Sequence, residues 1–222
     1  MVLLKALKSC INGHSSQSSA DATSHLTQLH EAIAAATKTL QSLVDLDAQI
    51  GKAADLIDQC LCAGNKLLVC GNGGSAADAS HFATELVVRF ANDRRPLPAI
   101  CLASDSGILT AAANDYGFDE IFARQVAAFA QPGDVLICLT TSGKSKNLIR
   151  ALEEAKARKL KTIAFLGRDG GSTIGIADLD LLVKSDSTRE SGSPSAFAAC
   201  VVRDNRVAPR ETVAASLFEA RA

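Results

Sequence analysis

The sequence predicts an α/β protein: a doubly wound, five-stranded parallel sheet with an N-terminal helical extension. Three observations carry that expectation. Five short apolar runs recur along the chain, and segments of helical period separate them. The runs are nearly continuous in Leu, Val, Ile, Cys and Ala, as strands buried on both faces are. Ahead of the first run, His25 to Cys62 repeats apolar residues at three- and four-residue steps.

In chain order, residues 1–24 read as a poorly ordered leader, because 9–24 are rich in Ser, Gly, Asn and Asp. Leu26, Leu29, Ile33, Ala36, Leu40, Leu43 and Leu46 then mark one helix, and a second runs from about Ile50 to Cys62, stopped by Gly64. Their apolar faces need a partner surface, and dimerisation is the usual way to supply one. Lys66–Cys70 is the first strand, followed by a Gly-rich turn and a helix from about Ser75 to Phe90. Pro98–Leu102 is the second strand, and Asp105–Ala113 and Phe118–Ala128 are helical. Asp134–Leu139 is the third, with a helix from Ser145 to Arg158 behind it, and Thr162–Leu166 and Leu179–Val183 complete the sheet. Strand, loop and helix repeated in this way define a parallel sheet with helices on both faces.

Composition bounds the function. The chain has 222 residues, 47% of them hydrophobic, enough for one sizeable core. With 23 basic and 24 acidic residues its net charge is −1, so no electrostatic footprint for nucleic acid or an anionic membrane follows. Trp is absent and Tyr occurs once, which removes stacking platforms for single strands. The seven cysteines form no paired Cys-x-x-Cys elements, and several sit inside strands, where they act as small hydrophobes. Reduced thiols, with neither a signal-peptide pattern nor a membrane-spanning run, imply the cytoplasm.

Two loops carry chemistry. Ligands of such sheets bind outside the carboxyl ends of the strands. Cys70-Gly71-Asn72-Gly73-Gly74-Ser75 follows the first strand and opens a helix, so its glycines let backbone approach a ligand closely. Thr140-Thr141-Ser142-Gly143-Lys144-Ser145 occupies the equivalent place after the third strand and offers hydroxyls around one glycine. Hydroxyls and amides at a helix N-terminus suit a phosphate monoester. The Gly-Lys-Ser here lacks the upstream glycine of a Walker A loop. On the helix after the first loop, His81 and Glu85 stand four residues apart and share a face. The pair suits a divalent metal or a carboxylate base near the loop, and equally an ordinary surface pair. Asn114-Asp115 closes the helix after the second strand.

Together these segments resemble the SIS (sugar isomerase) domain family, a flavodoxin-like fold, and within it the phosphoheptose isomerases. The matching residues are Cys70–Phe90, Arg95–Ile100, Ala113–Phe118, Thr141–Ser145 and Gly167–Gly171, within a resemblance spanning roughly residues 25–188. The resemblance implies interconversion of sedoheptulose 7-phosphate and D-glycero-D-manno-heptose 7-phosphate, which feeds lipopolysaccharide core synthesis. It implies that Asn72, Gly73 and Gly74 line the substrate. Ser75, Thr140, Thr141, Ser142 and Ser145 would hold it, mainly at the phosphate, and Asn114 and Asp115 would contact the sugar. His81 and Glu85 match two zinc ligands, and Glu85 also matches the base that moves the proton between C1 and C2. A homotetramer with shared active sites is implied as well. A non-catalytic relative, a replication-initiator-associating SIS protein, shares the Gly-Asn-Gly-Gly-Ser loop but lacks a glutamate at the position of Glu85. Glu85 and Asn114–Phe118 therefore favour the isomerase.

The resemblance stops after Thr188. The family carries Gln-Glu-x-x-His on a C-terminal helix, whose Gln and a later His complete the zinc site. Here Lys184 is followed by Ser-Asp-Ser-Thr-Arg-Glu-Ser-Gly-Ser-Pro-Ser195, and no histidine follows His81. Residues 189–222 read as an atypical tail of frameshift origin, leaving the zinc ligand set incomplete.

Overall fold

The computed structural model describes residues 19–89 and 93–184. The leader up to residue 18 and the tail from 185, with the proposed frameshift, lie outside the described residues. The chain divides into two units between Lys38 and Thr39. Helix α1, Ser19–Ser42, begins inside the segment read as leader. It leaves Leu26, Leu29 and Ile33 exposed at 57%, 54% and 55%. A 3-10 turn, Leu43–Leu46, leads into α2, Asp47–Cys62. The two helices expected from the sequence are both present, with their junction a few residues earlier than the expected step from Leu46 to Ile50. Gly64, at φ 85°, ends α2: Asn65 N–H reaches back to the Cys60 carbonyl and Gly64 N–H to that of Leu61. That six-to-one plus five-to-two closure needs a left-handed residue, which explains the glycine.

The five strands are β1 Leu67–Gly71, β2 Ala99–Cys101, β3 Val135–Thr140, β4 Lys161–Gly167 and β5 Leu179–Val183. All neighbours pair parallel, in the order β2-β1-β3-β4-β5. This is the flavodoxin-like order. Between the strands lie α3 Gly74–Val87, α4 Ser106–Tyr116, α5 Ala123–Phe129 and α6 Lys146–Ala157. The expected helix over 118–128 is instead a 3-10 turn at Phe118–Glu120 followed by α5. Gly117, at φ 91°, ends α4, which runs past the expected Ala113. At its other end α4 is capped by Asp105, whose carboxylate accepts from Ile108 N–H at 2.9 Å.

Strand alternation sorts the core into two layers. Leu67, Val69, Val135, Ile137 and Leu139 meet α2 and α3 through Ile57, Leu61, Phe82 and Leu86. Leu68, Cys70, Leu136 and Cys138 face the other way, onto Phe122, Val126, Leu148 and Leu152. The cysteines behave as the small hydrophobes expected of them. Cys70 and Cys138 lie side by side with sulfurs 3.4 Å apart. Burial raises the Cys70 thiol well above its usual value and pushes Cys60 to about 11.

At the amino ends of the strands, Asp134 is almost fully buried and takes three donors: Lys66 N–H at 3.0 Å, the Lys66 ammonium at 2.6 Å and Gln131 N–H at 2.8 Å. This clasp joins the entries of β1 and β3. Asp134→Ala strands two backbone N–H groups and a half-buried ammonium, so it should cost about 3 kcal/mol. Urea denaturation should show a lower midpoint at unchanged slope.

Candidate functional site

The sheet order creates the site. β1 and β3 are neighbours, but the chain leaves β1 for α3 on one face and leaves β3 for α6 on the other. The two loops diverge at this switch point and open a crevice between them. A cavity of about 360 Å³ occupies it. Asn72, Gly74 and Ser75 line it from the first loop, and Thr140, Thr141, Ser142 and Ser145 from the second. The structure therefore brings together both loops that the sequence singled out. Gly73, at φ 57°, is the residue before α3 and shapes the turn between Asn72 and Gly74. At Gly71 the strand end comes so close to the backbone of Ser75 that a Cβ has no room.

The hydroxyls are arranged to donate. Thr140 Oγ1 accepts from Gly143 N–H at 3.1 Å, and Ser142 Oγ accepts from Lys144 N–H at 3.3 Å. A hydroxyl that accepts from the turn keeps its own proton for a ligand. Ser145 stands at the N-cap of α6 without a side-chain capping bond, so its hydroxyl is not spent on the helix. α3 and α6 both begin at the cavity, and the positive ends of their dipoles favour an anion there.

Two charged lining residues escaped the sequence reading. Arg168 supplies a cation at the cavity from the turn after β4, and it holds a positive φ of 55°, which costs a non-glycine residue conformational energy. It lay inside the matched Gly167–Gly171 segment with nothing in its spacing to mark it. Asp78, on the first turns of α3, lines the cavity too. Burial raises its carboxyl above the ordinary value, partly opposed by His81.

The second loop is braced from behind. The Gly143 carbonyl accepts from Thr173 N–H at 2.9 Å, Thr173 Oγ1 at 2.8 Å and Ser172 Oγ at 3.3 Å. Thr173 is fully buried. Gly143 has φ 61°, and a Cβ on it would collide with the Gly170 carbonyl.

The remaining predicted residues lie elsewhere on the chain. His81 Nε2 and Glu85 Oε1 are 2.8 Å apart on α3, with 58% and 17% of their side chains exposed, and neither lines the cavity. Asn114 and Asp115 are exposed at the end of α4, where Asn114 donates to the Asp115 carboxylate at 2.8 Å. Among the described residues no cluster of three or more His, Cys, Asp or Glu side chains is placed to hold a metal. His81 and Glu85 offer two donors, short of a four-coordinate zinc site.

Comparison with known proteins gives this geometry a family. The SIS domain profile matches residues 31–167. A phosphoheptose isomerase of Shewanella sp. (strain ANA-3) is 46% identical over 159 residues, covering 68% of this chain and 81% of the relative. The structure of a phosphoheptose isomerase from Francisella tularensis superposes with a TM-score of 0.78 at 36% identity, over 81% of this chain and 96% of that one. The Neisseria gonorrhoeae phosphoheptose isomerase gives a TM-score of 0.73 at 37% identity, over 79% and 97%. The chain belongs to the SIS domain family and, within it, to the phosphoheptose isomerases.

Gly143→Ala tests the brace. The strained φ and the collision with Gly170 should together cost about 2 kcal/mol or more. The melting temperature should fall, and phosphate-ester binding should weaken beyond what the loss of stability accounts for.

Proposed function

We propose that this chain is an aldose–ketose isomerase that converts sedoheptulose 7-phosphate to D-glycero-D-manno-heptose 7-phosphate for lipopolysaccharide core synthesis. One observation carries the reading. Two hydroxyl-bearing helix N-termini converge on one cavity at the switch point of a sheet whose sequence is 46% identical to a phosphoheptose isomerase. A non-catalytic SIS binding protein is not favoured by these relatives.

In this reading the phosphate sits against Ser75, Thr140, Thr141, Ser142 and Ser145. Arg168 and the helix dipoles offset its charge, while Asn72, Gly73 and Gly74 line the adjoining carbons. Asn114 and Asp115 hold the sugar hydroxyls. The Glu85 carboxylate takes a proton from C1 of the ketose. The electron pair left behind forms the C1–C2 double bond as O2 takes up a proton, giving an enediol. Delivery of a proton to C2 and loss of one from the C1 hydroxyl then leaves the aldehyde. His81, 2.8 Å away, fixes the Glu85 carboxylate. His81 and Glu85 are also two donors that the described residues offer a zinc ion.

The reading places the active protein in the cytoplasm. Cys60, Cys62, Cys70, Cys101 and Cys138 are all free thiols, and among the described residues no helix is long and apolar enough to cross a membrane. It also calls for more than one chain. Glu85, His81, Asn114 and Asp115 lie outside the cavity lining, as residues do when they complete the site of a second copy. The exposed Leu26, Leu29, Ile33 and Leu40 of α1 offer apolar surface for that assembly, a homotetramer by the family resemblance.

Sedoheptulose 7-phosphate should raise the melting temperature, whereas sedoheptulose should not, and Glu85→Gln should abolish turnover while keeping that shift. Equal shifts with both sugars, or full turnover in the variant, would count against the reading. Light scattering at micromolar protein should report a tetramer, and a monomer would remove the shared-site arrangement.

A further inference from the structure

Across the crevice two side-chain amides meet face to face. Asn72 Nδ2 donates to Asn147 Oδ1 at 2.9 Å, and Asn147 Nδ2 donates to Asn72 Oδ1 at 2.9 Å. Asn72 belongs to the loop after β1 and lines the cavity. Asn147 lies in the first turn of α6, after the second loop, and is 2% exposed. An asparagine amide has two N–H donors and two acceptor lone pairs. The reciprocal pair takes one of each from Asn72 and leaves one of each for the cavity. Rotating the Asn72 amide alone by half a turn would set N–H against N–H and oxygen against oxygen, so the two amides can turn only together. With Asn147 buried and Asn72 half-buried, that mismatch is costly.

We propose that Asn147 is a positioning residue. It holds the plane of the Asn72 amide in the crevice, so that one N–H and one carbonyl lone pair of Asn72 stay directed at the sugar phosphate, and it ties the two ligand loops together across the switch point. The proposal rests on the isomerase reading for its ligand. The lock itself rests only on the amide pair.

Asn147→Asp tests it without a change of shape. The ionised carboxylate of this variant can accept from Asn72 N–H through one oxygen, but its other oxygen faces the Asn72 carbonyl. Once protonated, the same carboxyl donates to that carbonyl and restores the pair. Burial holds such a carboxyl above its ordinary value, so the switch falls in an accessible pH range. KM for sedoheptulose 7-phosphate should rise about tenfold relative to wild type at pH 8, the loss of one hydrogen bond's worth of binding. It should return toward wild type as the pH falls. Expressing KM as a ratio to wild type at each pH cancels the titration of the substrate phosphate and of Asp78, which lines the cavity with Arg168. Asn147→Leu should raise KM by a similar factor at every pH. In the ligand-free protein, NMR should show slowly exchanging Asn72 side-chain amide protons that become fast in Asn147→Leu.

A KM in Asn147→Asp equal to wild type at pH 8, or raised without acid recovery, would overturn the positioning role. Asn72 amide protons that exchange as fast in wild type as in Asn147→Leu would overturn the lock. A wild type that neither binds nor turns over the sugar phosphate would defeat the isomerase reading, while protected Asn72 amide protons in that same protein would uphold the lock.

Discussion

Everything at this site depends on the parallel pairing of β1 with β3. Five register pairs, from Leu67 with Val135 to Gly71 with Leu139, hold the two strands side by side. A parallel strand is reached only by a crossover, and here the crossovers on either side of the pairing go to opposite faces. The two loops therefore leave neighbouring strand ends in different directions, and the cleft between them follows from connectivity before any side chain is considered. Glycines appear where that geometry forces backbone together: Gly71 against Ser75, and Gly143 against Gly170. The site chemistry, hydroxyls and helix amides aimed at an anion, is laid onto this frame.

Much of this was legible in the sequence. Continuous apolar runs such as Leu67–Cys70 and Val135–Leu139 have one reading in an alternating chain, a strand buried on both faces. The Gly-Asn-Gly-Gly-Ser and Thr-Thr-Ser-Gly-Lys-Ser loops stand out because turn chemistry and phosphate chemistry call for the same residues in the same place. What stayed hidden depends on distance in the fold. Asn147 looks like any polar residue of a first helical turn until Asn72 is brought opposite it. Arg168 needs β4 placed beside β3 before it reaches the cavity. The 3-10 turn at Phe118–Glu120, inside a stretch that reads as one helix, needed backbone angles that spacing does not report.

Family membership and geometry contribute separately. The relatives at 46% and 36% identity carry the substrate class. The cavity explains why that class fits, since its lining is rich in hydroxyls and amides and includes one arginine. The His81–Glu85 pair is the point of tension. It has the spacing and the 2.8 Å contact of a working pair, yet it is not part of the lining of its own chain's cavity. In the shared-site arrangement proposed above, such a pair is read against a neighbour's cavity rather than its own.

The Asp134 clasp has a wider meaning for how the site can evolve. β1 and β3 are fastened at their entry by that carboxylate and at their exit by the Asn72–Asn147 pair, with an unbroken ladder between. A strand pair pinned at both ends cannot slide or splay, so the gap between the two ligand loops is a fixed gauge. A descendant taking a longer or shorter ligand inherits the same two loops and the same gap between them. It must accommodate the difference farther out, beyond the two loops.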